Sequence, residues 1–147
     1  MPGTASLAAG EYYAHPRNGF WPIMAELLGF SPQLPYARRL ERLVAARIAL
    51  WDVAHQCFRP GSLDQNIAVD SVQTNDFRRF FAEHPHLALI CFNGSAAERL
   101  YRRLVLPHLS AAAKQMHIQR LPSTSPAHAA LSMAAKAAVW QEALRLP

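Results

Sequence analysis

The segment that most constrains this chain is the apolar run Leu87-Ala-Leu-Ile-Cys-Phe92, which passes directly into Asn93-Gly94-Ser95 and then into a helical pattern reaching Leu106. A six-residue run bounded by turn residues suits a strand buried on both faces. A strand that feeds a glycine turn and a helix is one half of a βαβ unit. Met116 to Leu121 predicts another strand, and the short apolar run Ile48 to Val53 predicts a third. Helical spacing falls between and around them. Phe20, Ile23, Met24, Leu27 and Leu28 mark a helix over 18–28, with Pro22 in its first turn and Gly29 as its stop. Residues 35–46 predict a second helix, with Leu40, Leu43 and Val44 inward and Arg38, Arg39 and Arg42 outward. Asn75 or Asp76 caps a short helix through Phe77, Phe80 and Phe81 that Pro85 ends, and Ser125-Pro126 opens a final helix to Leu144. Met1 to Gly10 and Phe58 to Thr74 read as loops. Alternating strands and helices predict an α/β layer fold with a mostly parallel sheet, whose binding residues gather at the strands' carboxyl ends.

The chain has 147 residues, 51% of them hydrophobic, which suits a single domain spanning 1–147 and excludes a disordered chain. No apolar run has the length of a bilayer span, and no secretory leader pattern is present, so neither membrane insertion nor secretion is indicated. Cys57 and Cys91 cannot form a disulfide framework and stand in no metal-ligand cluster, which points to a cytoplasmic protein with reduced thiols. The net charge is +5, and thirteen of the fifteen basic residues are arginine. Arginine's planar fork suits phosphate oxygens, so the excess fits a nucleic-acid partner; a solvated basic surface would give the same count. His84-Pro85-His86 lacks acidic neighbours and reads as a helix-end turn, and Arg99, Arg102 and Arg103 beside Glu98 read as a solvated helix face.

Chemistry concentrates in EYYAHPRNGFW, residues 11–21, where His15, Arg17 and Asn18 stand among Tyr12, Tyr13, Phe20 and Trp21. Taken alone, the segment allows two readings. Asn18 can cap the following helix while Phe20 and Trp21 fill the core, or the three polar groups can form a site. AHPRNGFW, preceded by Pro2-Gly3 and a G-x-Y-Y turn, resembles the first signature of the uracil-DNA glycosylase superfamily, in particular its hypoxanthine-DNA (deoxyinosine) glycosylase branch. LPSTSPAH, residues 121–128, resembles the second signature of that branch, and ICFNGSAAERLY resembles its internal strand–glycine–helix unit. ALWDV (49–53) and GSLD (61–64) are similar to the same branch, so the resemblance runs in order along nearly the whole chain.

That resemblance implies a three-layer α/β/α sandwich and a monofunctional glycosylase that hydrolyses the N-glycosidic bond of deoxyinosine during base excision repair. A relative acting on uracil, or a non-catalytic DNA-binding form, is the alternative. It implies no metal and no cofactor, because the reaction needs only base extrusion, an aimed water and stabilisation of charge on the departing base. The partner is DNA containing deaminated bases, and the expected state is a monomer. Met1-Pro2-Gly3 resembles the end of the family's first turn, so the first central strand is expected to be missing and the chain truncated at its N-terminus. In several branches a residue of that turn positions the water; the matching place here is Met1, and the hypoxanthine branch gives the task to the Asn matching Asn18. The resemblance places Tyr13 against the extruded base, with His15, Phe20 and Asn93 as further base-site residues, although Asn93-Gly94 also suits a βα turn for backbone reasons. Arg17, Ser123, Thr124, Ser125 and His128 are expected to meet DNA, with Pro126 and Ala127 as a wedge in the groove.

Overall fold

The computed structural model describes residues 2–61 and 63–144. Met1, the counterpart of the family's turn residue, and Ser62, within GSLD, lie outside the described residues. In chain order the elements are α1 (Thr4–Ala9), α2 (Phe20–Leu28), α3 (Tyr36–Ala45), β1 (Ala54–Gln56), β2 (Gln73–Thr74), α4 (Phe77–Glu83), β3 (Leu89–Asn93), α5 (Ser95–Leu100), α6 (Ala111–Lys114), β4 (His117–Leu121) and α7 (Met133–Leu144). The backbone divides into two compact units, residues 52–121 and residues 2–51 together with 122–144.

The 52–121 unit holds the sheet. Strands β3 and β4 pair in parallel, in register from Leu89 opposite His117 to Asn93 opposite Leu121. Both lie where the sequence predicts strands, β3 on its apolar run. β3 ends in Gly94, whose φ of 95° is open to glycine but strained for a side chain, and whose N–H bonds the carbonyl of Leu121. Phe92, Leu100, Tyr101, Val105 and Leu109 pack with Phe77, Val53 and Ile67 into one apolar core. Partial burial pushes the Cys91 thiol up from its ordinary range.

Two expectations fail in this unit and at its edge, and one is narrowed. The predicted strand at 48–53 does not form. Its start is consumed in ending α3, where the Ile48 N–H reaches back to Leu43 and Arg47 takes a left-handed φ of 58°. Farther along, the carbonyls of Asp52 and Val53 accept from the side-chain amide and the N–H of Asn75, in place of a ladder. The strand that does form, β1, lies one step later and pairs antiparallel with the two-residue β2 across an irregular register. The helix after Gly94 does not continue to Leu106 as a plain α-helix. It widens into a π turn at Tyr101–Val105 and then tightens into a 3₁₀ turn at Leu106–His108. Pro107 lacks an N–H and its ring crowds the carbonyl four residues back, so the regular ladder cannot run through it. Asp76, not Asn75, caps α4, its carboxylate accepting the Arg79 N–H at 3.0 Å.

In the other unit, α2 buries Phe20, Ile23 and Met24 at helical spacing and ends at Gly29, as predicted. On α3 the buried stripe is shifted from the expected one. It runs through Tyr36, Arg39, Leu40 and Leu43, while Val44, predicted inward, is 73% exposed. Arg39, predicted outward, lies over the Trp21 ring with its guanidinium carbon 4.6 Å from the centroid. An arginine can join an apolar stripe in this way because its plane stacks on an aromatic face. The N-terminal segment, read as a loop, contains α1, whose Ser6 is buried.

The last helix starts seven residues later than predicted, at Met133 rather than Pro126, with Ser132 rather than Ser125 before it. Ser123 Oγ accepts from the Ser125 N–H and Ser125 Oγ from the Ala127 N–H, so local hydroxyl turns compete with the helix. Ser132 takes over at the helix start: its Oγ accepts the Ala135 N–H at 3.2 Å. Ser132→Ala is therefore expected to cost about 1 kcal/mol, measured by urea denaturation.

Candidate active site

The two signature segments belong to the same unit and are joined backbone to backbone. The Gly19 N–H donates to the Thr124 carbonyl at 2.9 Å. Phe20, one residue on, is 2% exposed and meets Trp140 of α7 edge to face at 5.8 Å. Trp140 in turn donates its indole N–H to the Pro122 carbonyl at 3.0 Å, fixing the start of the serine-rich loop. Aromatic burial thus sets the helices, and the helices present the loops.

Asn18 closes a turn. Its N–H bonds the His15 carbonyl at 2.8 Å, with Pro16 at the position where a fixed φ suits such a turn. The N-cap of α2 is Gly19, so Asn18 acts one residue earlier than a cap would, its Oδ1 accepting the Phe20 N–H at 3.0 Å. That bond fixes the amide and occupies one lone pair of Oδ1. Among the described residues the second lone pair and the amide NH₂ have no partner. The side chain stands on the wall of an open groove of about 410 Å³, shared with Arg17, Gly19, Ile23, Glu26 and Met133. The Met133 side chain lies against Gly19 so closely that a Cβ there would sit 2.6 Å from its terminal methyl. With φ at −80°, Gly19 matters for this close approach and not for backbone freedom.

Tyr13 lies half-buried, its ring stacked on Phe20 at 4.0 Å between centroids and 24° between planes. Its backbone φ is 56°, in the left-handed region that costs a bulky residue energy. Neighbouring bonds hold it there. The Tyr12 N–H donates to the Tyr36 hydroxyl, the Tyr12 carbonyl accepts from Trp21 Nε1, and the Ala14 N–H donates to Ser6 Oγ. Arg39 braces the same segment through Glu11 at 3.7 Å. Ser6, Tyr36 and Arg39 had no place in the sequence reading of the site. A hydroxyl in an alanine-rich segment and a tyrosine beginning an arginine-rich helix carry no local signal of a contact made to a distant loop.

His15 is exposed, and its Nδ1 accepts the Arg17 N–H at 3.1 Å, which leaves the ring proton on Nε2. Arg17 is exposed beside it. In the second segment Thr124 is 1% exposed, Ser123, Ser125 and His128 are half-buried, and Pro126 and Ala127 are exposed at the tip. The structure therefore places Tyr13, His15, Arg17, Asn18 and Phe20 in one unit with residues 123–128, the two segments joined at the Gly19–Thr124 bond. Asn93 is placed otherwise, at the carboxyl end of β3 in the 52–121 unit.

No family model matches the chain. Two curated relatives do, both named hypoxanthine DNA glycosylase. The one from Methanosarcina acetivorans is 33% identical over 129 residues, which is 82% of this chain and 80% of its own length. The one from Methanosarcina barkeri is 36% identical over 95 residues, 64% of this chain and 59% of its own. A solution NMR structure from Methanosarcina acetivorans, described as a "putative Uracil DNA glycosylase", matches with a TM-score of 0.74 at 31% identity, covering 98% of this chain and 86% of that one.

The contact between Gly19 and Met133 makes a double-mutant prediction. Gly19→Ala is expected to displace the methionine at a cost of about 1 kcal/mol, and to cost almost nothing in a Met133→Ala background, as read from thermal unfolding of the four proteins.

Proposed function

The chain belongs to the hypoxanthine DNA glycosylase family and carries the mixed α/β fold of the uracil-DNA glycosylase type, and from this premise we propose that it releases hypoxanthine from deoxyinosine in DNA. The observation that carries the proposal is the hydrogen bond from Gly19 to Thr124, which sets the Asn18 turn beside the serine-rich loop. Glycosidic hydrolysis needs a water aimed at the sugar carbon while positive charge grows on the sugar and negative charge on the base. Asn18 supplies the aim. Its amide is held by the Phe20 N–H, and the remaining lone pair of Oδ1 accepts a hydrogen bond from the attacking water and so orients it. Tyr13, backed by the buried Phe20 ring, offers a flat apolar surface to the extruded base, so Phe20 acts through Tyr13.

The Pro126-Ala127 tip enters the duplex and takes the space the base leaves. Ser123 and Ser125 meet the backbone phosphates with Thr124 holding the loop from beneath; Arg17, His15 and His128 flank that contact. The reaction is a single hydrolysis that leaves an abasic site. Lys136, the lysine that shares a unit with both signature segments, is 4% exposed and donates its ammonium hydrogen bond to a backbone carbonyl, which supports hydrolysis over a Schiff-base route. No helix among the described residues is long and apolar enough to cross a membrane. We place the protein in the cytoplasm as a monomer on DNA, a reading supported by its net charge of +5. Residues 1–147 form one glycosylase domain in this reading.

Release of uracil is the second reading, favoured by the description of the matched NMR structure. Single-lesion duplexes containing inosine or uracil decide between them, with chromatography of the free bases. Hypoxanthine release is expected, and Asn18→Ala is expected to slow it about 10²–10⁴-fold with little change in duplex affinity. Uracil release without hypoxanthine would move the activity to the second reading. Duplex binding with release of neither base would leave a DNA-binding protein.

A further inference from the structure

We infer that Lys136 is the positioning residue of the loop that enters DNA, an inference that deepens the glycosylase reading and rests on it. Lys136 lies in the first turn of α7 and is 4% exposed. Its Nζ donates to the His128 carbonyl at 2.7 Å. Two costs attach to an ammonium there. Burial removes its hydration, and the amino end of a helix carries the positive pole of the peptide dipoles. A methionine or leucine would fill the same volume with neither cost. The chain has two lysines in all, against thirteen arginines, so a basic composition does not account for this one.

What the ammonium does is visible in the loop it reaches. Residues 122–132 form no helix or strand. Their start is fixed by Trp140 at Pro122 and by Gly19 at Thr124, and their end by the Ser132 cap. Between Ser125 and Ser132 the described hydrogen bonds are local turns, Ala127 N–H to Ser125 Oγ and His128 N–H to the Ser125 carbonyl, apart from the one from Lys136. Local turns shape the Pro126-Ala127 tip but do not tie it to the body of the unit. Lys136 supplies that tie. It joins the far side of the tip to α7, the helix whose Trp140 holds the near side, so the tip is clamped at both ends to one rigid element.

The charge matters as well as the bond, since a charged donor holds a carbonyl more firmly than a neutral one. The same carbonyl bond would stabilise any loop, so the test must separate position from stability. Lys136→Met keeps the volume and removes the donor. The expected result is a protein as stable as the parent in thermal unfolding, with faster hydrogen exchange at the Ala127 and His128 amides. Its rate ratio of hypoxanthine release from duplex over single-stranded inosine DNA is expected to fall about tenfold or more. A single strand needs no wedge, so a general loss of stability would lower both rates and leave their ratio unchanged. An unchanged ratio overturns the inference.

A 2-aminopurine placed beside the lesion brightens when its neighbour is extruded, and that signal is expected to weaken in Lys136→Met. Full brightening in the variant equally overturns the inference. Should the parent release no hypoxanthine, the proposed function fails, and the fluorescence and exchange measurements still decide the role of Lys136. If Lys136→Met does not fold, Lys136→Gln, which keeps a neutral donor, takes its place with the same expected direction.

Discussion

One hydrogen bond, from the backbone of Gly19 to the backbone of Thr124, joins two segments separated by about a hundred residues of sequence. It makes one site of them. Because both partners are main-chain groups, the bond is insensitive to which side chains the two residues carry, and it fixes the register of one loop against the other. Gly19 is where the chains meet, and the Met133 side chain fills the space a side chain at position 19 would take. The surrounding aromatic residues, Phe20, Trp21 and Trp140, keep this bond in an interior where an unpaired N–H would be costly.

From that bond the rest of the candidate site follows by short steps. Asn18 precedes the joined residue and is turned by Pro16 and locked by Phe20. Tyr13 is held in an unfavourable backbone conformation by bonds on either side of it. Strain supported in this way is a sign of a surface prepared before its ligand arrives. The serine-rich loop uses its own hydroxyls to stay out of the helix that follows, which leaves backbone and side-chain donors at its surface instead of inside a helical ladder.

Much of this was legible in the residues, and the limits have physical causes. Strand β3 announces itself as an unbroken apolar run, Leu87 to Phe92, between turn residues. Helix α2 is equally plain, since proline, apolar spacing and glycine agree. Asn18 and the serine-rich loop could be singled out by resemblance, and the Asx turn at Asn18 is a local arrangement that sequence can suggest. The start of α7 could not be read, because Ser125-Pro126 and Ser132 offer two helix openings and tertiary contacts choose between them. Neither could the braces Ser6, Tyr36 and Lys136, each of which bonds a main-chain group that no local pattern identifies. Arg39 was misassigned for a related reason: charge suggests solvent, whereas a guanidinium over indole behaves as part of the core.

Arg39 has a wider bearing on how basic chains are judged. Its guanidinium lies over an indole, Arg59 is 7% exposed and tied to Asp64, and Arg102 and Arg120 share the carboxylate of Glu98. These cations are architectural mortar, already committed to neighbours within the molecule. A tally of positive residues therefore overstates the field such a surface casts toward a polyanion, and two chains of equal isoelectric point can differ widely in their grip on a nucleic acid.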